Sequence, residues 1–361
     1  MNHRVMFLTP ALGKGGAETQ LIKVARFLKH QNIDVLIVSL KQINDFPASL
    51  KEEGIEVVFL RTNWLYSFIP NLYSLLKVVR NFKPDVVISF MFIAIIVGRL
   101  LKQQFNFKLI SSIRASRIDR KWSAIFKLTS GLDDSVVYNS NASKEIFEGN
   151  GMAGRKGIVI RNAITVPNFP TILSNSTFKW ISIAHFRVDK DYPTLFKAIS
   201  LLKEINFKVD ILGHVYNLDW PLRSIIELGI QDHVNLLGFK ANTSDYLKRS
   251  DASILSSFSE GMPNAVLESM AYSKPVVASD IDCIAEIFGA SNGGLLFKTG
   301  DAEDLASKML VIMQMGEEER REMGRSGRDI IDRTFEENIV FNQWLTLINS
   351  YLPQESNMVN P

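Results

Sequence analysis

Residues 251–280, "DASILSSFSEGMPNAVLESMAYSKPVVASD", contain a strand, a turn, a helix and a second strand in direct succession. The runs "DASILSS" and "KPVVASD" are short and apolar, which is typical of strands buried on both faces. The turn is "FSEGMPN", and we predict a helix that begins near Pro263 or Asn264. A helix between two such strands indicates a βαβ unit, so this segment favours a parallel sheet.

The same alternation continues in both directions along the chain. Helical patterns such as "AETQLIKVARFLKH" lie between most of the short Val/Ile-rich runs. The predicted strands are "RVMFLT", "DVLIVSL", "IEVVFL", "PDVVISF", "FKLISSI" and "SVVYNS" in the first half, and "FKWISIAHF", "FKVDILG", "HVNLLGF", "DASILSS", "KPVVASD" and "GGLLFK" in the second. We therefore predict an α/β fold made of two successive, doubly wound parallel-sheet halves.

The alternation stops between residues 164 and 176, where "ITVPNFPTILSNS" has the composition of a linker. We predict an N-terminal domain over 1–168, a linker over 169–178 and a C-terminal domain over 179–335. An amphipathic helix over 336–352 is expected to pack back across the junction, and residues 353–361 are expected to fray. Two such halves facing each other would form a cleft at the carboxyl ends of their strands, where α/β folds bind ligands.

Length and composition limit the class of protein. The 361 residues suit two domains, and 46% hydrophobic with 22% charged residues is ordinary for a globular protein. The single cysteine, Cys283, excludes an internal disulfide framework and fits a reducing compartment. The segment "RVMFLTPALG" is too short for the apolar part of a signal peptide. The longest apolar run, residues 86–97, falls short of the roughly 20 residues of a spanning helix.

Charge is distributed unevenly along the chain. Up to residue 170 there are 23 basic and 12 acidic residues, a net +11, whereas the remainder has 18 and 26, a net −8. A basic first half indicates an anionic partner for that half, and the alternative is chance unevenness.

A glycine-rich turn follows the first predicted strand, in "TPALGKGGAETQL", with Gly13, Gly15 and Gly16 before the first helix. Glycines there let the backbone approach a phosphate, and the helix N-terminus supplies N–H groups. The turn matches neither the dinucleotide fingerprint nor the P-loop, so a glycine-rich turn without a ligand is the alternative.

Three cations follow the first strand of the second half, in "IAHFRVDKDYPTLFKA". Lys190 precedes a helix that we expect to open near Tyr192 and Pro193. A cation held there could neutralise a leaving diphosphate, with Arg187 and His185 as alternative cations. The other interpretation is that all three are ordinary surface residues.

Two carboxylates flank the turn of the opening segment. We expect Glu260 in the loop and Glu268 one turn inside the following helix. Each could simply favour a helix N-terminus. Carboxylates can also accept hydrogen bonds from the vicinal hydroxyl groups of a ribose or a hexose, and Gly261 leaves backbone amides open to a ligand.

The sequence gives little support for metal or nucleophilic catalysis. Asp280 and Asp282 form a D-x-D pair, but no His/Cys/Asp cluster has zinc spacing, and no G-x-S-x-G elbow is present. We expect no metal and no cofactor.

Taken together, these motifs resemble the retaining GT-B glycosyltransferases of the large group 1 family, also called family 4. The resemblance runs from the first strand to about Phe335, and the segment 251–280 is its most specific part. Its motifs include "GGAE", "VVYNSNASKE", "VIRNAI", "KDYPTLFKA", "VNLLGF" and "GGLLFKTGD", and Glu260 and Glu268 match the glutamates of the family's E-x7-E motif.

The resemblance implies a role for each matching residue. Glu260 would contact hydroxyl groups of the transferred sugar, Glu268 the ribose, and Lys190 the diphosphate. Backbone amides from Gly261 through Met262 and Pro263 to Asn264 would contact the donor sugar and its phosphates. Gly15 and Gly16 would let the first domain close on the phosphates and the acceptor. The family transfers a sugar from a nucleotide diphosphate, usually without a metal.

The chain departs from the family pattern at several positions. Where relatives have arginine five residues before the lysine, this chain has His185, so either Arg187 replaces it or His185 acts when protonated. Asp282 and Cys283 replace a pair of small residues after "SD". A histidine found in many relatives is missing from "SSIRASRIDRK", and Arg114 or Arg117 is a candidate to bind the acceptor instead.

The segment "NWLYSFIPNLYSLLKVVRNFK" places Lys77, Arg80 and Lys83 beside apolar residues. This favours either a core helix or a helix on an anionic membrane surface.

We predict a UDP- or GDP-sugar donor, a saccharide acceptor that is lipid-linked, and a peripheral location on the cytoplasmic face of a bacterial inner membrane, in surface polysaccharide assembly. The alternatives are a nucleotide-sugar epimerase and a non-catalytic partner subunit. Nucleic-acid binding is not predicted, because the sequence shows no basic recognition helix.

Overall fold

A computed structural model describes residues 3–13, 15–43, 45–46, 49–60, 68–118, 120–154, 157–168, 177–289 and 292–352. The chain divides into two compact units. The first comprises Met1–Ala163 and Asn338–Pro361, and the second comprises Ile164–Glu337. The chain therefore passes from the first unit to the second at residue 164 and returns at residue 338. Residues 169–176 of the predicted linker and the predicted frayed tail, 353–361, lie outside the described residues.

The first unit contains a parallel sheet of seven strands in the described part of the chain, in the order β3-β2-β1-β4-β5-β6-β7. The strands are β1 (Arg4–Thr9), β2 (Asp34–Ser39), β3 (Glu56–Phe59), β4 (Val86–Phe90), β5 (Lys108–Ile113), β6 (Ser135–Tyr138) and β7 (Ile158–Val159). The helices of this part of the chain are α1 (Gly16–His30), α2 (Ser49–Glu52), α3 (Phe68–Phe82), α4 (Phe92–Leu101), α5 (Arg120–Leu128) and α6 (Asn141–Gly149).

The second unit contains six described strands, all parallel, in the order β10-β9-β8-β11-β12-β13. They are β8 (Phe178–Ile183), β9 (Phe207–Leu212), β10 (Val234–Gly238), β11 (Ala252–Leu255), β12 (Val276–Ser279) and β13 (Gly294–Phe297). The helices are α7 (Tyr192–Leu201), α8 (Trp220–Glu227), α9 (Ser244–Arg249), α10 (Asn264–Ala271), α11 (Asp282–Phe288), α12 (Ala302–Gln314) and α13 (Glu317–Thr334). The final helix, α14 (Glu337–Asn349), belongs to the first unit from Asn338 onward.

Both units thus have the doubly wound strand order of a Rossmann-like fold. All twelve predicted strands are present, because continuous Val/Ile runs are what strands buried between two layers of helices require. The two-residue strand β7 was not predicted from the sequence, since it is too short to show a pattern. The apolar run 86–97 forms β4 and the start of α4, as a buried strand leading into a core helix.

The last helix, α14, packs its apolar side in the core of the first unit. Its residues Val340, Trp344 and Ile348 are buried there, and the Trp344 ring lies 6.2 Å from that of Phe90 in β4. The last helix of the chain thus completes the core that the first 163 residues begin.

The strand order decides which loops of the second unit meet. β8 pairs with β11, and the order along the sheet reverses between them. Such a switch point brings two loops together at the carboxyl ends of neighbouring strands. Here they are the loop from β8 to α7 and the loop from β11 to α10, which carry Lys190 and Glu260.

Candidate functional site

Lys190 and Glu260 meet at the switch point of the second unit. The Lys190 Nζ atom lies 2.6 Å from Glu260 Oε1, and only 15% and 14% of the two side chains are exposed. The Ser257 hydroxyl donates a hydrogen bond to the same carboxylate oxygen at 2.8 Å. The structure therefore brings together two of the residues that the sequence singled out.

Two hydrogen bonds to backbone carbonyls fix the two loops to each other. The Phe258 N–H donates to the Asp189 carbonyl at 2.8 Å, and the Ser256 hydroxyl donates to the Lys190 carbonyl at 2.9 Å. Asp191 caps α7 in a left-handed conformation, with φ of 47°, and Pro193 occupies the first turn of that helix. The helix begins at Tyr192, as expected from the sequence.

Asp189 links the two cations of this loop. Its carboxylate lies 3.0 Å from Arg187 Nε and 3.2 Å from Lys190 Nζ. Burial acts to raise the pKa of Asp189, but the charges of Lys190 and Arg187 outweigh it and hold the pKa below its ordinary value. Neither Asp189 nor Ser257 was predicted from the sequence, where only their positions close to Lys190 and Glu260 distinguish them.

His185 follows β8, and its tautomer is set by a backbone contact. The His214 N–H donates to His185 Nδ1 at 3.1 Å, so Nδ1 is the acceptor and the neutral ring carries its hydrogen on Nε2. This geometry favours a neutral Nε2–H donor over the protonated ring that the sequence analysis considered. The Arg187 side chain is 63% exposed and pairs with Asp189.

Aromatic rings surround His185 at the carboxyl ends of β8, β9 and β10. The His214 ring stacks on that of Phe239, with centroids 4.6 Å apart and planes 5° apart, and Tyr216 lies 5.6 Å from His214. We call His185, His214, Tyr216 and Phe239 the aromatic group. It was not found from the sequence, because its members come from three separate loops.

Glu268 lies on α10, which begins at Asn264 as the sequence predicted. The Thr243 hydroxyl donates to Glu268 Oε2 at 3.4 Å. Gly261, Met262 and Pro263 form the buried end of the turn between β11 and α10. Thus Glu260 lies in the loop before this helix and Glu268 one turn inside it.

The glycine turn of the first unit has the expected position. Gly15 precedes α1 and donates its N–H to the Gly13 carbonyl at 2.9 Å, and α1 begins at Gly16. A β-carbon on Gly15 would lie 2.4 Å from Glu18 Oε2, so glycine leaves room for that carboxylate. Burial raises the pKa of Glu18 above its ordinary value.

The two candidate acceptor residues differ in environment. Arg114 is buried at the end of β5; its Nε donates to the Ser112 hydroxyl at 2.9 Å, and its Nη1 donates to the Ile160 carbonyl at 3.1 Å. Burial lowers the pKa of Arg114 to about 9. Arg117 is exposed.

The D-x-D pair is divided between two structural roles. The Asp280 carbonyl accepts from the Thr299 hydroxyl at 3.1 Å, and Asp282 opens α11. Within the described ranges, we find no group of three or more His, Cys, Asp or Glu side chains that could hold a metal ion.

Two family models match the chain. The model described as "Glycosyl transferases group 1" matches residues 170–330, and the model described as "Glycosyltransferase Family 4" matches residues 14–166.

Characterised proteins show similarity at low identity. The N,N'-diacetylbacillosaminyl-diphospho-undecaprenol α-1,3-N-acetylgalactosaminyltransferase of Campylobacter jejuni is 23% identical over 355 residues, which cover 90% of this chain and 93% of that protein. A second C. jejuni enzyme, the N-acetylgalactosamine-N,N'-diacetylbacillosaminyl-diphospho-undecaprenol 4-α-N-acetylgalactosaminyltransferase, is 27% identical over 187 residues, which cover 50% of this chain and 51% of that protein.

Among solved structures, the Anabaena protein HepE in complex with UDP and glucose superposes with a TM-score of 0.84 at 18% identity. The superposition covers 97% of this chain and 100% of that chain. At this identity the similarity shows the fold.

Proposed function

The chain belongs to the group 1, or family 4, glycosyltransferases, and on this premise we propose that it transfers a hexose-type sugar from a nucleotide diphosphate donor to a lipid-linked saccharide, with retention of anomeric configuration. Its fold is the GT-B fold, with a Rossmann-like unit in each half. The contact between Lys190 and Glu260 at the switch point is the observation that carries the proposal.

That contact places a cation and a carboxylate where a sugar diphosphate needs both. In α/β folds a phosphorylated ligand binds outside the carboxyl ends of the strands at a switch point. Lys190 would neutralise the charge of the leaving diphosphate, with Arg187 as an exposed second cation. Glu260 would accept hydrogen bonds from the sugar's hydroxyl groups while Ser257 holds its carboxylate in place.

The rest of the donor would extend over the neighbouring loops. Glu268 would accept from the ribose hydroxyls, and backbone groups of residues 261–264 would line the sugar and phosphate positions. The neutral imidazole ring of His185 would donate one hydrogen bond from Nε2. The aromatic group offers ring faces on which a nucleobase could stack. In the first unit, Gly15 and Gly16 would let a phosphate group approach the N-terminus of α1.

The acceptor is proposed from the relatives and from charge. Both C. jejuni enzymes are named for acceptors linked to undecaprenyl diphosphate. The first 170 residues carry a net charge of +11, which favours an anionic substrate or surface. We propose that Arg117 contacts the acceptor's phosphates and that Arg114, from its buried position, orients this loop. The enzyme would work peripherally on the cytoplasmic face of a bacterial inner membrane, in polysaccharide assembly and without a metal.

Helices that could cross a bilayer are not found in the described part of the chain, where none is both long and apolar enough. The proposal therefore relies on surface contact with the membrane.

Donor binding and sugar transfer test this function separately. Calorimetry with UDP, GDP and their sugar nucleotides should reveal one preferred donor. Incubation of that donor with a lipid-diphosphate saccharide, in the presence of a metal chelator, should yield a product of retained configuration by NMR. Absence of both donor binding and transfer across the panel would contradict the proposal, and conversion of the donor sugar without acceptor would indicate an epimerase.

Glu268→Ala should weaken donor binding by about 1–3 kcal/mol, because the ribose hydroxyls lose their acceptor. Glu227→Ala, on the exposed side of α8, is the control and should leave the Kd unchanged. An unchanged Kd for Glu268→Ala would remove this residue from the proposed donor site.

A further inference from the structure

Helix α5 of the first unit exposes apolar side chains that helices normally bury. Trp122, Ile125 and Leu128 are all exposed, and Leu128 is 85% exposed. At about 100° per residue, these three positions fall within one arc of about 120°. By the same measure, Lys121 also falls within this arc. We call the three exposed apolar side chains the α5 face.

Phe126, about 100° around the helix from the centre of the α5 face, holds α5 against the rest of the first unit. Phe126 is buried, with its ring 5.5 Å from Phe92 and 6.2 Å from Phe147. The Arg99 guanidinium lies 4.2 Å above the Phe126 ring and donates to the Phe126 carbonyl at 2.8 Å. With Phe126 held in this way, α5 cannot rotate to bury Leu128 without losing these contacts.

The charged residues of α5 itself are all basic, whereas Asp119 directly precedes the helix. Its sequence, "RKWSAIFKL", contains Arg120, Lys121 and Lys127 and no acidic residue. Lys127 is exposed, as is Arg117 shortly before the helix. Apolar side chains flanked by cations are characteristic of helices that lie on anionic membranes.

Two other helices also expose apolar residues. On α8, Leu222 and Ile226 are each 58% exposed, but the helix carries both Arg223 and Glu227. On α3, Leu72 and Tyr73 are 40% and 69% exposed beside the exposed cations Lys77 and Arg80, whereas Leu75 and Val79 are buried in the core. The side of α3 that carries Leu75 and Val79 serves as core packing, and α5 exposes one large apolar side chain more than the described part of α3 does.

We propose that the α5 face is the surface by which this protein docks on an anionic lipid bilayer, with Trp122, Ile125 and Leu128 inserted among the lipids and Lys127 at the headgroups. This inference rests on the proposed function, because a lipid-linked acceptor requires the enzyme to work at a membrane. α5 follows β5 and the segment holding Arg117, so docking through α5 brings this exposed candidate acceptor residue towards the bilayer surface, while Arg114 stays buried at the end of β5.

Vesicle flotation of the full-length protein tests this surface. We expect it to float with vesicles of phosphatidylcholine and phosphatidylglycerol, and much less with phosphatidylcholine alone. The double variant Ile125→Glu/Leu128→Glu should bind anionic vesicles about tenfold more weakly or worse, since charged residues replace the inserted side chains. Lys127→Gln should lower binding to anionic vesicles by about fivefold, the effect of one cation near such a surface.

The matched control is Leu222→Glu/Ile226→Glu on α8, which places the same two charges at comparably exposed positions and should leave flotation unchanged. Melting temperatures and UDP binding of both double variants should equal those of the unmodified protein. Unchanged flotation of Ile125→Glu/Leu128→Glu, or no flotation of the unmodified protein, would overturn the inference. A dimer that this variant dissociates in sedimentation would instead identify a second copy of the chain as the occupant.

These outcomes can be separated from failure of the proposed function. UDP binding is measured without vesicles and depends on the second unit. A protein that binds and transfers from its donor but ignores vesicles would contradict only the α5 inference.

Discussion

Lys190 has three N–H donors, and two nearby carboxylates, of Glu260 and Asp189, lie at 2.6 and 3.2 Å from its nitrogen. The lysine is therefore held in place by two partners, with donor capacity remaining for a phosphate oxygen. Preorganised charge of this kind contributes more to a transition state than a mobile side chain does, because it needs no reorganisation during the reaction.

Lys190→Met should therefore lower kcat/KM by about 10²–10³, the loss measured when one stabilising donor is removed from an active site. Arg187→Gln should cost less, about tenfold or below, because the Arg187 side chain is 63% exposed and water screens its charge. Steady-state kinetics decide the order, with the exposed Lys197→Met on α7 as the control. A larger loss for Arg187→Gln would assign the main diphosphate contact to the arginine.

Lys274 is a buried cation outside the candidate site. It precedes β12 and is 4% exposed, and its Nζ lies 3.4 Å from the Lys248 carbonyl. Burial lowers its pKa from 10.5 to about 8, although the charge of Asp251 acts in the opposite direction. The folded protein thus releases this proton near pH 8, whereas the unfolded chain keeps it to about pH 10.5.

Between these pH values the unfolded state binds more protons, so Lys274 makes the folded state more stable as the pH rises. Lys274→Met should remove this trend and stabilise the protein at pH 7 by roughly 1–3 kcal/mol, because no charge is then buried. Denaturant titrations at pH 7, 8 and 9 measure both effects, and the exposed Lys203→Met serves as control. Burial raises the pKa of Cys283 to about 12, but this thiol is present in every variant and cancels in the comparison. Equal pH profiles with and without Lys274 would contradict this account.

Among the elements, the ends of β8, β9 and β10 depend on one glycine. Gly213 follows β9, and its N–H donates to the Gly238 carbonyl at 3.0 Å. A β-carbon on Gly213 would lie 1.9 Å from the carbonyl oxygen of Ala184. The obstacle is backbone, so the loops that carry His185 and His214 can approach each other only where residue 213 lacks a side chain.

Gly213→Ala should therefore separate these two loops, with a loss of about 1–3 kcal/mol in stability and weaker donor binding. Gly149→Ala, at the end of α6, is the matched control, because a β-carbon there meets nothing within 4 Å. Chemical denaturation and calorimetry with the preferred donor give the two readouts. Normal donor affinity in Gly213→Ala would mean that the aromatic group does not contact the nucleotide.

At the scale of the whole molecule, the first unit is built from two distant parts of the sequence. Trp344 of α14 is 1% exposed; its ring lies 6.2 Å from Phe90, and the Arg114 guanidinium lies 5.5 Å from it. The final helix therefore stabilises the same core as β1 and β4, although a complete second unit intervenes in the chain.

Trp344→Ala should destabilise the first unit by about 3–5 kcal/mol through the cavity it leaves. Hydrogen exchange followed by mass spectrometry should show faster exchange in β1, β4 and β5, with β8 to β13 unchanged. Trp180→Ala is the reciprocal control, since Trp180 is fully buried in the second unit and should accelerate exchange there instead. Faster exchange in β8 to β13 of Trp344→Ala would show that α14 supports both units.

The sequence by itself determined the elements and their order. Buried parallel strands require unbroken apolar runs. The start of α7 follows from Pro193, and the start of α10 follows from the turn before Asn264. Each of these features depends on residues that are close together in the sequence. The E-x7-E spacing likewise places Glu260 in a loop and Glu268 on a helix without knowledge of the fold.

Only the tertiary structure decided which of these residues meet and which lie exposed. Glu260 reaches Lys190 because β8 pairs with β11, and His185 takes one tautomer because a loop from β9 supplies an N–H. Arg114 is enclosed by groups from β5, from α14 and from Ile160, which follows β7. The exposure of the α5 face could not be predicted from the sequence either, since "RKWSAIFKL" has the pattern of an ordinary amphipathic helix. The physical reason is range: helix and strand patterns depend on neighbours in sequence, whereas burial, hydrogen-bond partners and pKa depend on groups that only the strand order brings together.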